Sequence, residues 1–425
     1  MRNESYESDP MSETIDISVL KSTWSSPLDP AALLPVLAPI GQARTLPAEA
    51  YTSAEVHQWE LANFFEGSWV CAGRSSVLER PGDQTAVRVG TEGILLVRDA
   101  DGALRGFYNV CRHRGHELLE CGATTNRRGI VCPYHAWAYG LDGRLRGAPR
   151  FKHLTSTDPV HEGLLPAAVS EWHGWLFVNP SGAAPPFAQH VGNLDELVSA
   201  HRPEQLVLGA THHYEVAANW KIVVENYHEC YHCTSIHPEL CRVTPPSSGD
   251  SSVPTGLWVG GSMDLMPHAK TMSISGESQG VFLPGLDEAS RRQVFYYGLF
   301  PTFLISLHPD YVLTHRLEPL TPDRTRIECQ WLFPAEAMER PDFDPSYAVE
   351  FWDLTNKQDW QACESVQRGV ASRGYRQGPL AIEEDNVHQF QTMVAGGYLQ
   401  GRPARPVPPA RRATSPSSVE GSFGD

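Results

Sequence analysis

Cys111-Arg112-His113-Arg114-Gly115-His116 is followed, across residues 114–131, by Cys132-Pro133-Tyr134-His135, and the rest of the chain can be read outward from these two boxes. Two thiolates and two imidazoles can hold a tetrahedral zinc ion, or a [2Fe–2S] cluster with both histidines on one iron. The ligand types alone leave a zinc ribbon open. Zinc sites place a short turn between paired ligands, whereas the first pair here is a tight Cys-x-His. The boxes are expected at the tips of consecutive hairpins, which suits two irons held between loops. Tyr134, Trp137 and Tyr139 can shield the sulfurs, and the Tyr134 hydroxyl is the candidate hydrogen bond to them. His116 and Cys121 read as a surface histidine and a core thiol.

Around the boxes, residues 68–180 alternate in short β-type runs (SWVCAG, TAVRVG, GILLVRD, GWLFVNP) punctuated by Asp-Gly turns, which predicts a small antiparallel β domain. Helical spacing over 53–65 predicts a helix leading into it. Pro185 and Pro186 mark a linker. Beyond it we expect a helix at 191–201, strands from HHYEVAANWKIVVEN and from 293–334, and one long helix at 346–371. The division is 1–45, an N-terminal segment partly disordered; 46–182, the first domain; 183–400, the second; and 401–425, a disordered Pro-, Arg- and Ser-rich tail. The 425 residues are enough for two domains.

A net charge of −16 argues against nucleic acid and anionic membranes as partners. No apolar run is long enough to span a bilayer, and the polar first twenty residues do not read as a secretion signal. Translation from Met11 is an alternative start. Nine scattered cysteines do not form a disulfide framework, so a reducing, cytoplasmic setting is expected.

The second chemical stretch runs Glu225-Asn226-Tyr227-His228-Glu229-Cys230-Tyr231-His232-Cys233, then Ile236-His237-Pro238. Histidines five apart are about 140° apart on an ideal helix, so they converge on one metal only if the helix breaks between them. Alone, the motif also fits a solvated helix. Cys230 and Cys233 read as packing residues.

Together, the strings CRHRG, CPYHAW and ENYHECYHC…HPEL resemble the Rieske non-haem iron oxygenase catalytic subunits, most closely the branch of glycine betaine demethylases and carnitine and choline monooxygenases. Tyr134 stands where respiratory Rieske proteins carry a further cysteine in the second box, and no membrane anchor is expected. The resemblance implies an α+β fold: a small antiparallel Rieske domain, and a helix-grip (START-like) catalytic domain whose antiparallel sheet curls around the long helix. It implies a [2Fe–2S] cluster on Cys111, His113, Cys132 and His135, and Fe(II) on His232, His237 and Asp359. Asp353 and Asp385 are rival third ligands. Glu229 is implied as the bridge between one subunit's cluster and the next subunit's iron, with Glu225 and Asn226 in support. The resemblance further implies O2 as co-substrate, electrons from NAD(P)H through a separate flavin/iron–sulfur reductase, and a homotrimer.

The expected activity is mono- or dioxygenation of a small molecule, as N-demethylation or hydroxylation of a betaine-like compound. Hydroxylation of an aromatic or alicyclic acid, and an electron carrier lacking catalytic iron, are the alternatives. A quaternary ammonium needs ring faces around its charge. Trp258, Tyr296, Phe303 and Tyr311 are the candidate substrate residues, with His308, Asp310 and His315 as polar groups near them.

Overall fold

The structure, a computed structural model, describes residues 26–151 and 163–410. The expected disorder of the first residues and of the tail beyond 410 lies outside the described residues. The first domain carries β1 (Val70–Arg74), β2 (Asp83–Val89), β3 (Glu92–Arg98), β4 (Leu104–Tyr108), β5 (Thr124–Asn126), β6 (Ile130–Val131), β7 (Ala138–Tyr139), β8 (Leu145–Gly147), β9 (Pro166–Trp172) and β10 (Trp175–Asn179). Seven of them form one sheet in the order β1-β10-β9-β4-β3-β2-β5, and β6-β7-β8 form a separate small sheet.

The second domain has one antiparallel sheet built from β11 (Leu206–Val216), β12 (Asp250–Ser251), β13 (Trp258–Asp264), β14 (Gln293–Leu299), β15 (Phe303–Leu307), β16 (Val312–Thr321) and β17 (Arg324–Pro334). Its order is β11-β17-β16-β15-β14-β13-β12. Directly paired residues share a face and neighbours along a strand alternate. The pairs Tyr296↔Ser306 and Leu304↔His315 therefore mark one face, and Trp258↔Leu299 and Leu299↔Phe303 the other. The second face packs on the first domain, where Trp175 and Phe177 meet the Phe303 ring edge-on at 5.2 and 5.7 Å.

The first face packs on helices. These are α1 (Ala54–Glu60), which continues as a wider turn over Leu61–Phe65, then α2 (Trp220–Tyr227), α3 (Ser346–Val370) and α4 (Asp385–Gln400). The expected long helix is α3. The expected helix at 191–201 is split, with Phe187–Val191 and Leu194–Ser199 parted at Gly192, whose φ of 52° favours glycine.

Two elements differ from the sequence expectation. The β-branched run in WKIVVEN was read as strand but forms α2. Asn219 caps it by accepting the Lys221 N–H at 3.0 Å, and Ile222, Val223 and Val224 are buried all round. Helix α4 was not anticipated at all. All of its residues but Asn386 and Gln400 are buried, so it shows no polar–apolar period to find.

A buried ion pair locks this layer. Lys221 Nζ sits 2.5 Å from Glu60 Oε1, Trp220 Nε1 donates to Glu60 Oε2 at 2.9 Å, and the Tyr398 hydroxyl also donates to Glu60. Removing one partner would leave a buried charge unpaired, at a cost of about 3–5 kcal/mol. The pair fixes α2 between α1 and α4, and the C-terminal end of α2 delivers the histidine segment. Residues 26–45 dock on the second domain: Leu33 and Val36 are buried, and the Thr45 N–H donates to Gly378 O at 2.9 Å.

Candidate metal centres

Two loops of the same design carry the first ligand set. In one, the Cys111 N–H donates to His116 O and the Gly115 N–H donates to Cys111 O, at 2.8 and 3.0 Å. In the other, the Cys132 N–H donates to Trp137 O and the Ala136 N–H to Cys132 O, at the same two distances. Each loop closes through a left-handed residue, Gly115 at φ 74° and Ala136 at φ 58°. The design buries both thiols and leaves both imidazoles part-exposed, with the rings of His113 and His135 4.7 Å apart at 72°. Sulfur inside and nitrogen outside is a donor set suited to a cluster with one iron near the surface.

Trp137 stacks on His113 at 4.9 Å and 3°. The hydroxyl at the sulfur belongs to Tyr139 rather than Tyr134. Tyr139 Oη lies in hydrogen-bond contact with Cys111 Sγ at 3.3 Å, where it would donate to a thiolate, and accepts the Arg112 N–H at 3.0 Å. Tyr134 is 54% exposed, with its ring against His135. The reason lies in the pleat: Tyr139 is on β7 and points inward beneath the loops. His116 is exposed and outside the set, and Cys121 is a free, part-buried thiol.

The second set lies where α2 ends. The chain leaves the helix at His228, turns, and makes one short helical turn at Cys233–Ile236, which brings the two histidines together as the sequence required. His232 Nε2 and His237 Nε2 are 3.2 Å apart, and Asp359 Oδ1 of α3 lies 3.4 and 2.8 Å from them. Ligand bonds of about 2.1 Å at right angles put donor atoms roughly 3 Å apart, so the three atoms have the edges of one octahedral face. Both remaining ring nitrogens are held. His232 Nδ1 donates to Glu229, and His237 Nδ1 donates to Gln358 Oε1 at 2.7 Å, while Gln358 Nε2 donates to Glu239 Oε2 at 3.3 Å. Such partners fix the tautomer that presents Nε2 to a metal.

Burial alone would lower the His232 pKa, but hydrogen bonds to Asp359 and Glu229 outweigh it and carry the ring up to about 9. Burial would raise Asp359, and the two histidines instead hold it below its ordinary value. A divalent cation would take the place of that proton between the same three groups. Asp353 is bound to Tyr214 and Lys357, and Asp385 to Gln389 and the Ala410 N–H, so neither rival reaches the histidines. Glu225 accepts from Tyr51 at 2.8 Å. Glu384, missed in the sequence, is pushed up by loss of water and by the nearby charge of Glu229.

Cys230 and Cys233 are not simple packing residues. They are joined by a disulfide, with Cα atoms 4.9 Å apart, because the turn around His232 brings positions three apart within bridging range.

The aromatic candidates divide between the two faces of the sheet. Trp258 and Phe303 lie on the face turned to the first domain, away from the triad. The reason is register, since a strand offers only alternate residues to each face. Tyr296 is on the triad side, with ring contacts to Tyr227 of α2 (6.0 Å) and Trp352 of α3 (6.2 Å). Tyr311 packs behind, its hydroxyl donating to Met272 O and accepting from Trp352 Nε1, both at 2.7 Å. His315 meets Asn356 of α3 at 3.1 Å. Asp310 accepts from Thr271, Ser278 and Tyr347.

Two loops offering two thiols and two imidazoles on a β domain, joined to a second domain in which a turn after α2 and helix α3 bring two histidines and a carboxylate together, define an iron–sulfur oxygenase architecture. Comparison with known proteins agrees. Residues 68–158 match the Rieske [2Fe-2S] domain, and residues 203–398 match the ring hydroxylating alpha subunit catalytic domain. The glycine betaine monooxygenase oxygenase subunit of Chromohalobacter salexigens is 31% identical over 373 residues, 79% of this chain and 82% of that protein. The solved quaternary ammonium Rieske monooxygenase CntA, in complex with its substrate L-carnitine, superposes with a TM-score of 0.70 at 29% identity, covering 88% of this chain and 99% of that one. A further structure of such a monooxygenase, described as informative on carnitine oxidation and inter-subunit electron transfer, gives 0.73 at 28% identity, covering 88% and 100%. The chain belongs to the Rieske oxygenases and is an oxygenase subunit of that family. Among the described residues, no helix is long and apolar enough to cross a membrane.

Proposed function

We propose that the protein is a monooxygenase that hydroxylates an N-methyl group of a small quaternary ammonium compound, releasing the methyl carbon as formaldehyde. The observation that carries this is the convergence of His232 Nε2, His237 Nε2 and Asp359 Oδ1 beside the sheet face that bears Tyr296. Relatives acting on glycine betaine and carnitine support the substrate class.

In this reading Cys111 and Cys132 hold one iron of the cluster, His113 and His135 hold the other, and the triad holds Fe(II). That iron, when bound, supplies the site at which O2 is activated. The protein's own groups do the rest. Glu229 and Gln358 orient His232 and His237, and ring faces hold a charge that has no N–H to donate. Glu229, which accepts from His232 Nδ1, would also accept an N–H from a neighbouring subunit's cluster histidine, so that an electron crosses between chains. This requires a closed head-to-tail ring, for which a homotrimer is proposed. An NAD(P)H-dependent reductase as electron source and a cytoplasmic setting belong to the same proposal.

The test is oxygen uptake with a purified reductase across glycine betaine, carnitine, choline and aromatic acids, with formaldehyde assayed in parallel. Uptake matched by formaldehyde is expected for at least one N-methyl compound. Uptake with an aromatic acid, and formaldehyde from none of the ammonium compounds, would overturn the reading.

A further inference from the structure

Among the described residues, His308 on the triad side of the sheet is buried with both ring nitrogens lacking a hydrogen-bond partner. Alternation along the end of β15 puts Ser306 toward α3, Leu307 away and His308 toward it again. The His308 ring lies flat on Tyr311, with centroids 4.0 Å apart at 16°, and edge-on to Trp352 at 5.4 Å and Tyr296 at 6.5 Å. Its backbone N–H donates to Tyr311 O, and the residue is wholly buried. Neither ring nitrogen has a hydrogen-bond partner among the described residues. A buried polar atom left this way is costly, so such exceptions call for an explanation.

The neighbouring side chains cannot supply one, because they are committed elsewhere, although the backbone carbonyls of Ser306 and Tyr311 lie near the ring. Trp352 Nε1 is spent on Tyr311, the Tyr311 hydroxyl on Met272, the Tyr227 hydroxyl on Ser306, and Asp310 on three hydroxyls. Burial, with His201 and His315 nearby, keeps His308 neutral, with one N–H to give and one lone pair to offer. Position adds the second half of the argument. Trp352 and Asp359 are seven residues apart on α3, which places them on one face of the helix and roughly 10 Å apart along its axis. Trp352, which the His308 ring meets edge-on, therefore lies about two helical turns from Asp359 on the same face of α3.

We propose that His308 reads the tail of the substrate, its ring N–H donating to a hydroxyl or carboxylate oxygen of a quaternary ammonium compound whose N-methyl faces His232, His237 and Asp359. The inference rests on the quaternary-ammonium reading above and adds that the tail carries an oxygen. It assigns the imidazole to that oxygen and leaves the cationic head to the rings.

The test is calorimetric binding to the iron-loaded, oxygen-free protein of four probes: glycine betaine, carnitine, choline and tetramethylammonium, the last having no tail. His308→Leu removes the donor and His308→Gln keeps one, and an unchanged Fe(II) content and melting temperature check that each variant is folded. The protein should prefer at least one oxygen-bearing probe over tetramethylammonium by about tenfold or more. His308→Leu should erase that preference, and His308→Gln should restore part of it. Betaine and carnitine affected without choline identify a carboxylate; choline affected without betaine identifies a hydroxyl. A preference untouched by His308→Leu, or equal weakening of all four probes, overturns the assignment while leaving the ammonium reading standing. Binding of none of the four to the unmodified protein overturns both.

Discussion

Cys111, His113, Cys132 and His135 come from two loops that repeat one backbone pattern, whereas His237 meets Asp359 from 122 residues away. The first set is specified locally: each loop is closed by its own two hydrogen bonds and a left-handed residue. The second exists only once α2, the turn after it and α3 have packed. A locally specified site persists while its loop does; a packed site depends on everything that positions the helices, down to the Glu60–Lys221 pair.

The comparison breaks most visibly when one set is removed at a time. Asp359→Ala is expected to abolish oxygen uptake while leaving the cluster's visible spectrum unchanged, whereas Cys132→Ala should remove both. Loss of colour in the Asp359 variant would show that the two sets are not independent. Glu229→Gln should come next. It keeps both donor sets but removes the carboxylate beside His232, and turnover should fall on the order of a hundredfold with iron content intact. A variant at full rate would remove Glu229 from the electron path.

Smaller effects sharpen the comparison. Gln358→Leu strips the acceptor from His237 Nδ1, and Fe(II) affinity of the metal-depleted protein should drop about tenfold, with no change at the cluster. Tyr139→Phe acts on the other set. Losing a hydrogen bond to Cys111 Sγ disfavours the more negative reduced cluster, so the midpoint potential should fall by roughly tens of millivolts.

The smallest effect concerns Glu225, whose carboxyl loss of water pushes up to about 7. The folded chain holds this proton more tightly than the unfolded one. The stability it contributes is therefore complete below the ordinary carboxylate pKa of about 4.3 and is lost as pH rises through about 7. Glu225→Gln should flatten that loss, so its Tm relative to the parent should rise between about pH 5 and pH 8. A constant difference would contradict the shift.

The same contrast explains what could be read before folding. The cluster boxes, the strands around them and helix α3 were legible because ligand spacing and periodicity are local properties. Asp359 was legible only through family resemblance, since nothing near it in the chain says which helix face meets His237. Helix α2 was misread because Ile222, Val223 and Val224 look like a strand until Asn219 is recognised as a cap. Trp258 and Phe303 were misassigned because composition identifies an aromatic residue but not which face of the sheet it takes. Tyr139, Gln358 and the Cys230–Cys233 bridge depend on directions that only the folded turns create.

In the proposed function one chain holds two separate iron sites, one local and one packed. Metal and sulfide analysis of His232→Ala, with electron paramagnetic resonance of its reduced cluster, tests it most directly. One iron fewer per chain than the parent, unchanged acid-labile sulfide and an unchanged cluster signal are expected. Iron equal to the parent's, or loss of sulfide along with the iron, would contradict it.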